Sequence, residues 1–105
     1  MERVSNFEEF WRLLKNSLKI GDDIPHWSLH RPQEKTFTVD NIHENKIEIT
    51  NSQKQKRVIS KTDFENIFYK WNSYIEGDIT REELRDIPNK NTTYVISMIY
   101  KFKNR

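Results

Sequence analysis

The chain contains no cysteine, which excludes a disulfide scaffold, a thiolate metal site and a cysteine nucleophile. Only two glycines occur in 105 residues, so there is no glycine-rich loop to cradle a phosphate and no G-x-S-x-G elbow to present a catalytic serine. Apolar residues nowhere run for the roughly 20 positions needed to span a bilayer. Met1 is followed at once by a charged, amphipathic segment rather than by a signal peptide's apolar core. These features set the expectation of a soluble cytoplasmic protein that needs no cofactor. Acidic residues are missing from two stretches. Ile49 to Lys61 carries Lys54, Lys56, Arg57 and Lys61, and Ile87 to Arg105 carries Lys90, Lys101, Lys103 and Arg105. The net charge of +2 is small, but two separated basic segments could form one surface.

What is present is one domain's worth of chain, residues 1–105, with 32% charged and 12% aromatic residues. That describes a polar-surfaced globule with an aromatic core. Its central stretch is RVISKTDFENIFYKWNSYIEG, in which Phe64, Ile67, Phe68, Trp71, Tyr74 and Ile75 recur at helical spacing. Thr62 with Glu65 has capping-box spacing, Ser60 competes as the N-cap, and Gly77 stands where a left-handed residue ends a helix. Residues 5–19 predict an earlier helix, with Phe7, Phe10, Trp11, Leu14 and Leu18 on one face and Ser5 as its cap. The segment GDDIPHWSLHRP holds Pro25 and Pro32 and reads as an extended arm anchored by Ile24, Trp27 and Leu29.

From Thr36 the period changes to two. Phe37 and Val39, then Ile47 and Ile49, predict a hairpin, and Val58 with Ile59 a third strand. Thr80 and Glu83 mark a short helix over 80–87, stopped by Pro88. A last helix over about 91–103 puts Val95, Met98, Ile99 and Phe102 toward the core, which leaves Asn91, Thr92, Thr93, Ile96, Ser97 and Tyr100 facing outward. The expected fold is α+β: a three-stranded antiparallel sheet packed by about four helices, with a winged-helix-like C-terminal half.

A short helix, the connection PNKN and a longer helix match the geometry that places a recognition helix in the DNA major groove. Asn91 could pair with adenine, Thr92 and Thr93 could touch base edges, and Lys90 with the helix N-terminus suits a phosphate. Tyr100 lies on the same outward face. Lys54, Lys56 and Arg57 would act as the basic hairpin that contacts the backbone beside that helix. The structural alternative is a helical hairpin packed on the sheet and an ordinary solvated turn. A metal reading of His26 and His30 is weak, because Pro25 and Pro32 bracket an extended segment. Asp40, Glu44 and Lys46 imitate a nuclease pattern, but Glu44 falls in a predicted turn. Nothing supports catalysis.

The residues from Arg57 to Phe102 resemble a pattern in a family of small, uncharacterised bacterial single-domain proteins: an arginine, I-S, a helix ending W-x-x-Y-x-x-G, then R-x-E-L-R and N-T-T-Y. Such proteins look like mobile-element or defence-associated cargo, and the resemblance implies a domain boundary and a tilt toward nucleic acid. The expectation is a non-enzymatic DNA-binding module. The competing expectation is a protein-interaction or inhibitor module that uses the aromatic surface around Trp27 or Trp71.

Overall fold

Helix α1 spans Phe7–Ser17, and its residues Phe7, Phe10, Trp11 and Leu14 form one buried stripe. Its N-cap is Asn6, whose Oδ1 accepts from the Glu9 amide at 2.8 Å. The structure is a computed structural model that describes residues 6–27, 32–84 and 91–103. Ser5, the expected cap, lies outside the described residues.

Four strands follow, β1 (Asp23–Trp27), β2 (Pro32–Ile42), β3 (Lys46–Thr50) and β4 (Lys56–Ser60), in one antiparallel sheet of order β1-β2-β3-β4. The expected meander is β2, β3 and β4, with Val39 opposite Ile49 and Ile47 opposite Ile59. Strand β1 corrects the three-stranded expectation. The arm pairs with β2, Ile24 lying opposite Phe37 and Pro25 opposite Thr36. Proline within a run argues against a central strand, but β1 is an edge strand, where proline is tolerated. The Val39 amide donates to the Asp22 carbonyl at 2.8 Å. By alternation residue 24 also bonds toward β2, so the N–H that Pro25 lacks would have pointed away from the sheet. Ile24 is fully buried and Trp27 half-buried, as anchoring requires, while Leu29 lies outside the described residues.

Alternation sorts the sheet into two faces. Ile24, Phe37, Val39, Ile47, Ile49 and Ile59 are all buried. The opposite face is polar and carries cross-strand bonds from Thr38 Oγ1 to Asp23 Oδ1 at 2.6 Å and from Thr50 to Asp40. The first hairpin is tied to α1, because the Trp11 indole N–H and the Lys15 ammonium both donate to the Glu44 carbonyl, at 2.8 and 3.2 Å.

Helix α2 spans Lys61–Ile75 and is capped by Ser60, whose Oγ accepts from the Asp63 amide at 3.2 Å. Phe64, Ile67, Trp71 and Tyr74 are buried on it, while Ile75 is exposed and off the stripe. Trp71 is therefore core rather than surface. Gly77 follows with φ of 83°, a conformation that favours glycine. Helix α3 is described over Arg81–Leu84. The expected capping box forms around it, the Glu83 amide donating to Thr80 Oγ1 at 3.4 Å and the Thr80 amide to Glu83 Oε1 at 3.1 Å. Residues 85–87 of the expected helix lie outside the described residues.

Helix α4 spans Thr92–Lys103 and packs against β1, α2 and α1. Aromatic contacts knit the helices together, with Phe10 4.8 Å from Phe68 and 5.2 Å from Phe102, and Trp11 5.1 Å from Phe64. The architecture is α+β, a four-stranded antiparallel sheet with four helices among the described residues. No helix of the described residues is long and apolar enough to cross a membrane.

Candidate nucleic-acid interface

The β3–β4 turn is built around Asn51, which is nearly buried at 9% exposure. Its Oδ1 accepts from the amides of Gln53 and Gln55 at 3.0 and 2.9 Å, closing the turn on itself. Lys54, Lys56 and Arg57 are all exposed. Lys54 sits in the turn, whereas Lys56 opposes Thr50 and Arg57 opposes Ile49 on β4. Successive strand residues point to opposite faces, so Lys56 and Arg57 flank the edge rather than share a plane. Lys61, the fourth cation of this stretch, pairs with Glu8 of α1 at 2.8 Å. It is therefore partly neutralised and drops out of the candidate surface.

The turn does lie beside the start of α4. Asn51 Nδ2 donates to Tyr94 Oη at 3.2 Å, and Asn91 Nδ2 donates to the Val58 carbonyl at 3.0 Å. Asn91 and Tyr94 of the second basic segment thus meet the first. Lys90 lies outside the described residues. Lys101 and Lys103 are at the far end of α4, a helix of 12 residues and so about 18 Å long.

The outward face expected of α4 requires correction. Asn91 is 1% exposed, Thr92 4%, Ile96 0% and Ser97 1%. Thr93 and Tyr100 are half-buried. The cause is β1, the strand hidden by Pro25, which walls the side of the helix that was assigned to solvent. Ser97 Oγ accepts from the Trp27 amide at 2.9 Å, and Tyr100 stacks on Trp27 with centroids 4.2 Å apart and planes 11° apart. Asn91 is turned inward, its Nδ2 also donating to Asp63 Oδ2 at 3.2 Å. Asp63 is 2% exposed. Its carboxylate therefore sits in the first turn of α2 and against the start of α4, where it offsets the partial positive charge of both helix ends. An incoming phosphate finds that charge already answered.

What remains for an anionic ligand is the hairpin and its exposed cations. Sequence reasoning named those cations and read a polar turn from Asn51 to Gln55, but gave Asn51 and Gln55 no part in shaping it. The signal was an asparagine opening a polar turn, a residue type that hydrogen-bonds its own backbone two residues on. Among the described residues, no group of three or more His, Asp or Glu side chains is placed to hold a metal ion. His26 packs edge-on against Phe37 and Tyr94, at 5.7 and 5.8 Å, and His30 lies outside the described residues. Comparison with protein-family models, with curated proteins and with solved structures finds no match for this chain.

Proposed function

We propose that the chain is a non-catalytic nucleic-acid-binding module that meets the phosphodiester backbone of double-stranded DNA with the β3–β4 hairpin. The observation that carries this reading is the juxtaposition of an acid-free turn, exposing Lys54, Lys56 and Arg57, with the first turn of α4. On this reading the basic hairpin beside the helix start would play the part of a wing next to α4. The contact is to backbone rather than to base edges, because Asn91 and Thr92, the residues with base-reading chemistry, are spent inside the protein. Lys90, the residue before Asn91 in sequence, belongs to the reading as a fourth cation although it lies outside the described residues, and Thr93 and Tyr100 are at most peripheral. A mobile-element or defence-associated setting accords with the resemblance of the C-terminal half.

Binding of this kind is driven by counterion release, with a log–log salt slope of about 0.9 per phosphate neutralised. Titration against pooled random duplex DNA at two salt concentrations, with RNA in parallel, tests it. Lys54→Glu and Arg57→Glu should each weaken binding to every sequence and flatten the slope by about one unit. A folded sample that shows no association at low salt would remove the reading. Binding that ignores salt and is lost on altering Trp27 would instead favour a protein-interaction or inhibitor module. The half-buried Trp27–Tyr100 stack at the seam of β1 and α4 is the feature that supports this second reading.

A further inference from the structure

Lys54 is the one non-glycine residue with positive φ among the described residues, at 66°. The Asn51 amide donates to the Gln55 carbonyl at 2.9 Å and the Lys54 amide to the Asn51 carbonyl at 3.0 Å. These bonds define a three-residue hairpin loop whose last residue is left-handed, the place that glycine normally takes. Glycine fits there without steric strain and an L side chain does not. A backbone outlier of this kind is a ground for asking what it is kept for.

The loop is also closed internally. The amides of Gln53 and Gln55 are taken by Asn51 Oδ1, and that of Lys54 by the Asn51 carbonyl. An incoming anion is therefore met by side chains and not by a nest of backbone donors. A line of hydrogen bonds then runs outward from α4. Asn51 Nδ2 donates both to Tyr94 Oη and to Gln55 Oε1, each at 3.2 Å, and Arg57 Nη2 donates to the same Gln55 Oε1 at 3.4 Å. The inner end is anchored in the core and the outer end is a guanidinium.

We infer that Asn51, Gln55 and Tyr94 are positioning residues that hold Lys54 and Arg57 preformed for a phosphodiester backbone, an assignment that rests on the nucleic-acid reading above. The left-handed backbone at Lys54 fixes the point at which its side chain leaves a turn in which the amides of Gln53, Lys54 and Gln55 are already taken. A fixed backbone at Lys54 and a held guanidinium at Arg57 remove part of the ordering of these side chains from the binding step.

The test uses the full chain, fluorescence anisotropy with a labelled random-sequence duplex at two salt concentrations, and a thermal melt of every variant. Lys54→Gly should melt no lower than wild type while losing affinity and flattening the salt slope by about one unit. Gln55→Ala alters no charge. It should weaken binding about two- to tenfold with the salt slope unchanged, because Arg57 must then be ordered on binding. Tyr94→Phe, which keeps the ring and removes the anchor for Asn51, should act in the same direction. Wild-type affinity in both uncharged variants, with wild type itself binding, overturns the positioning role and leaves the nucleic-acid reading intact. A lower melting temperature for Lys54→Gly overturns the assignment of strain. Failure of folded wild type to bind removes the reading and the inference together.

Discussion

A carboxylate taken out of water needs donors, and Asp63, 2% exposed, has one in the Asn91 amide at 3.2 Å. The same amide nitrogen donates to the Val58 carbonyl, so two acceptors fix its orientation. Its oxygen is left buried without a partner. These facts set the size of the effect at this position. Asn91→Ala strips a donor from a carboxylate and from a carbonyl, and each loss destabilises. It also deletes a buried acceptor that had nothing to bond, which works the other way. The net expectation is a loss of about 1–2 kcal/mol, read as a lowered midpoint in chemical denaturation with an unchanged m-value. Affinity for DNA, compared at equal folded fraction, should not change. A selective loss on one DNA sequence at full stability would return Asn91 to the interface.

Among the elements, α3 shows its dependence on a cap at its start, where the first amides of Arg81–Leu84 have no partner within the helix. The reciprocal bonds between Thr80 and Glu83 meet part of that need, and Leu84, 1% exposed, pins the turn to the core. Thr80→Ala should cost about 1 kcal/mol and speed amide exchange in residues 81–84 selectively. Unchanged exchange there would mean that the Leu84 contact alone holds the turn. The helices α1 and α2 and the β2–β3–β4 meander were legible from apolar period, and α3 from the Thr80–Glu83 spacing. The caps of α1 and α2, by contrast, fall at Asn6 and at the competing Ser60 rather than at Ser5 and Thr62. Strand β1 was not legible: Pro25 carries a breaker signal that only its edge position cancels. That omission propagated to α4, where Ile96 and Ser97 look solvent-facing until Trp27 and its strand stand beside them. In the candidate site the cations were readable one by one. The geometry of the turn that carries them was not, because nothing in a run of polar residues announces a lysine in the left-handed region.

Across the whole molecule, α4 closes the sheet. Its Ser97 takes the Trp27 amide of edge strand β1, and Asn91, just before its first turn, takes the Val58 carbonyl of edge strand β4. Edge strands with open polar groups invite pairing with other chains, and α4 with the residue before it takes one backbone group on each edge. Native-state hydrogen exchange should show it: the Trp27 amide should exchange together with the amides of Val95–Ile99, as one opening unit. Free exchange at Trp27 with α4 still protected would uncouple the edge from the helix. The Trp27–Ser97 bond joins residues 70 positions apart. During synthesis the sheet is therefore complete in sequence well before the segment that seals it has emerged from the ribosome. Its edges stay open over that interval, so the nascent chain is at its most sticky just when the meander can first form, and slowed translation between Ile75 and Thr92 would lengthen the exposure.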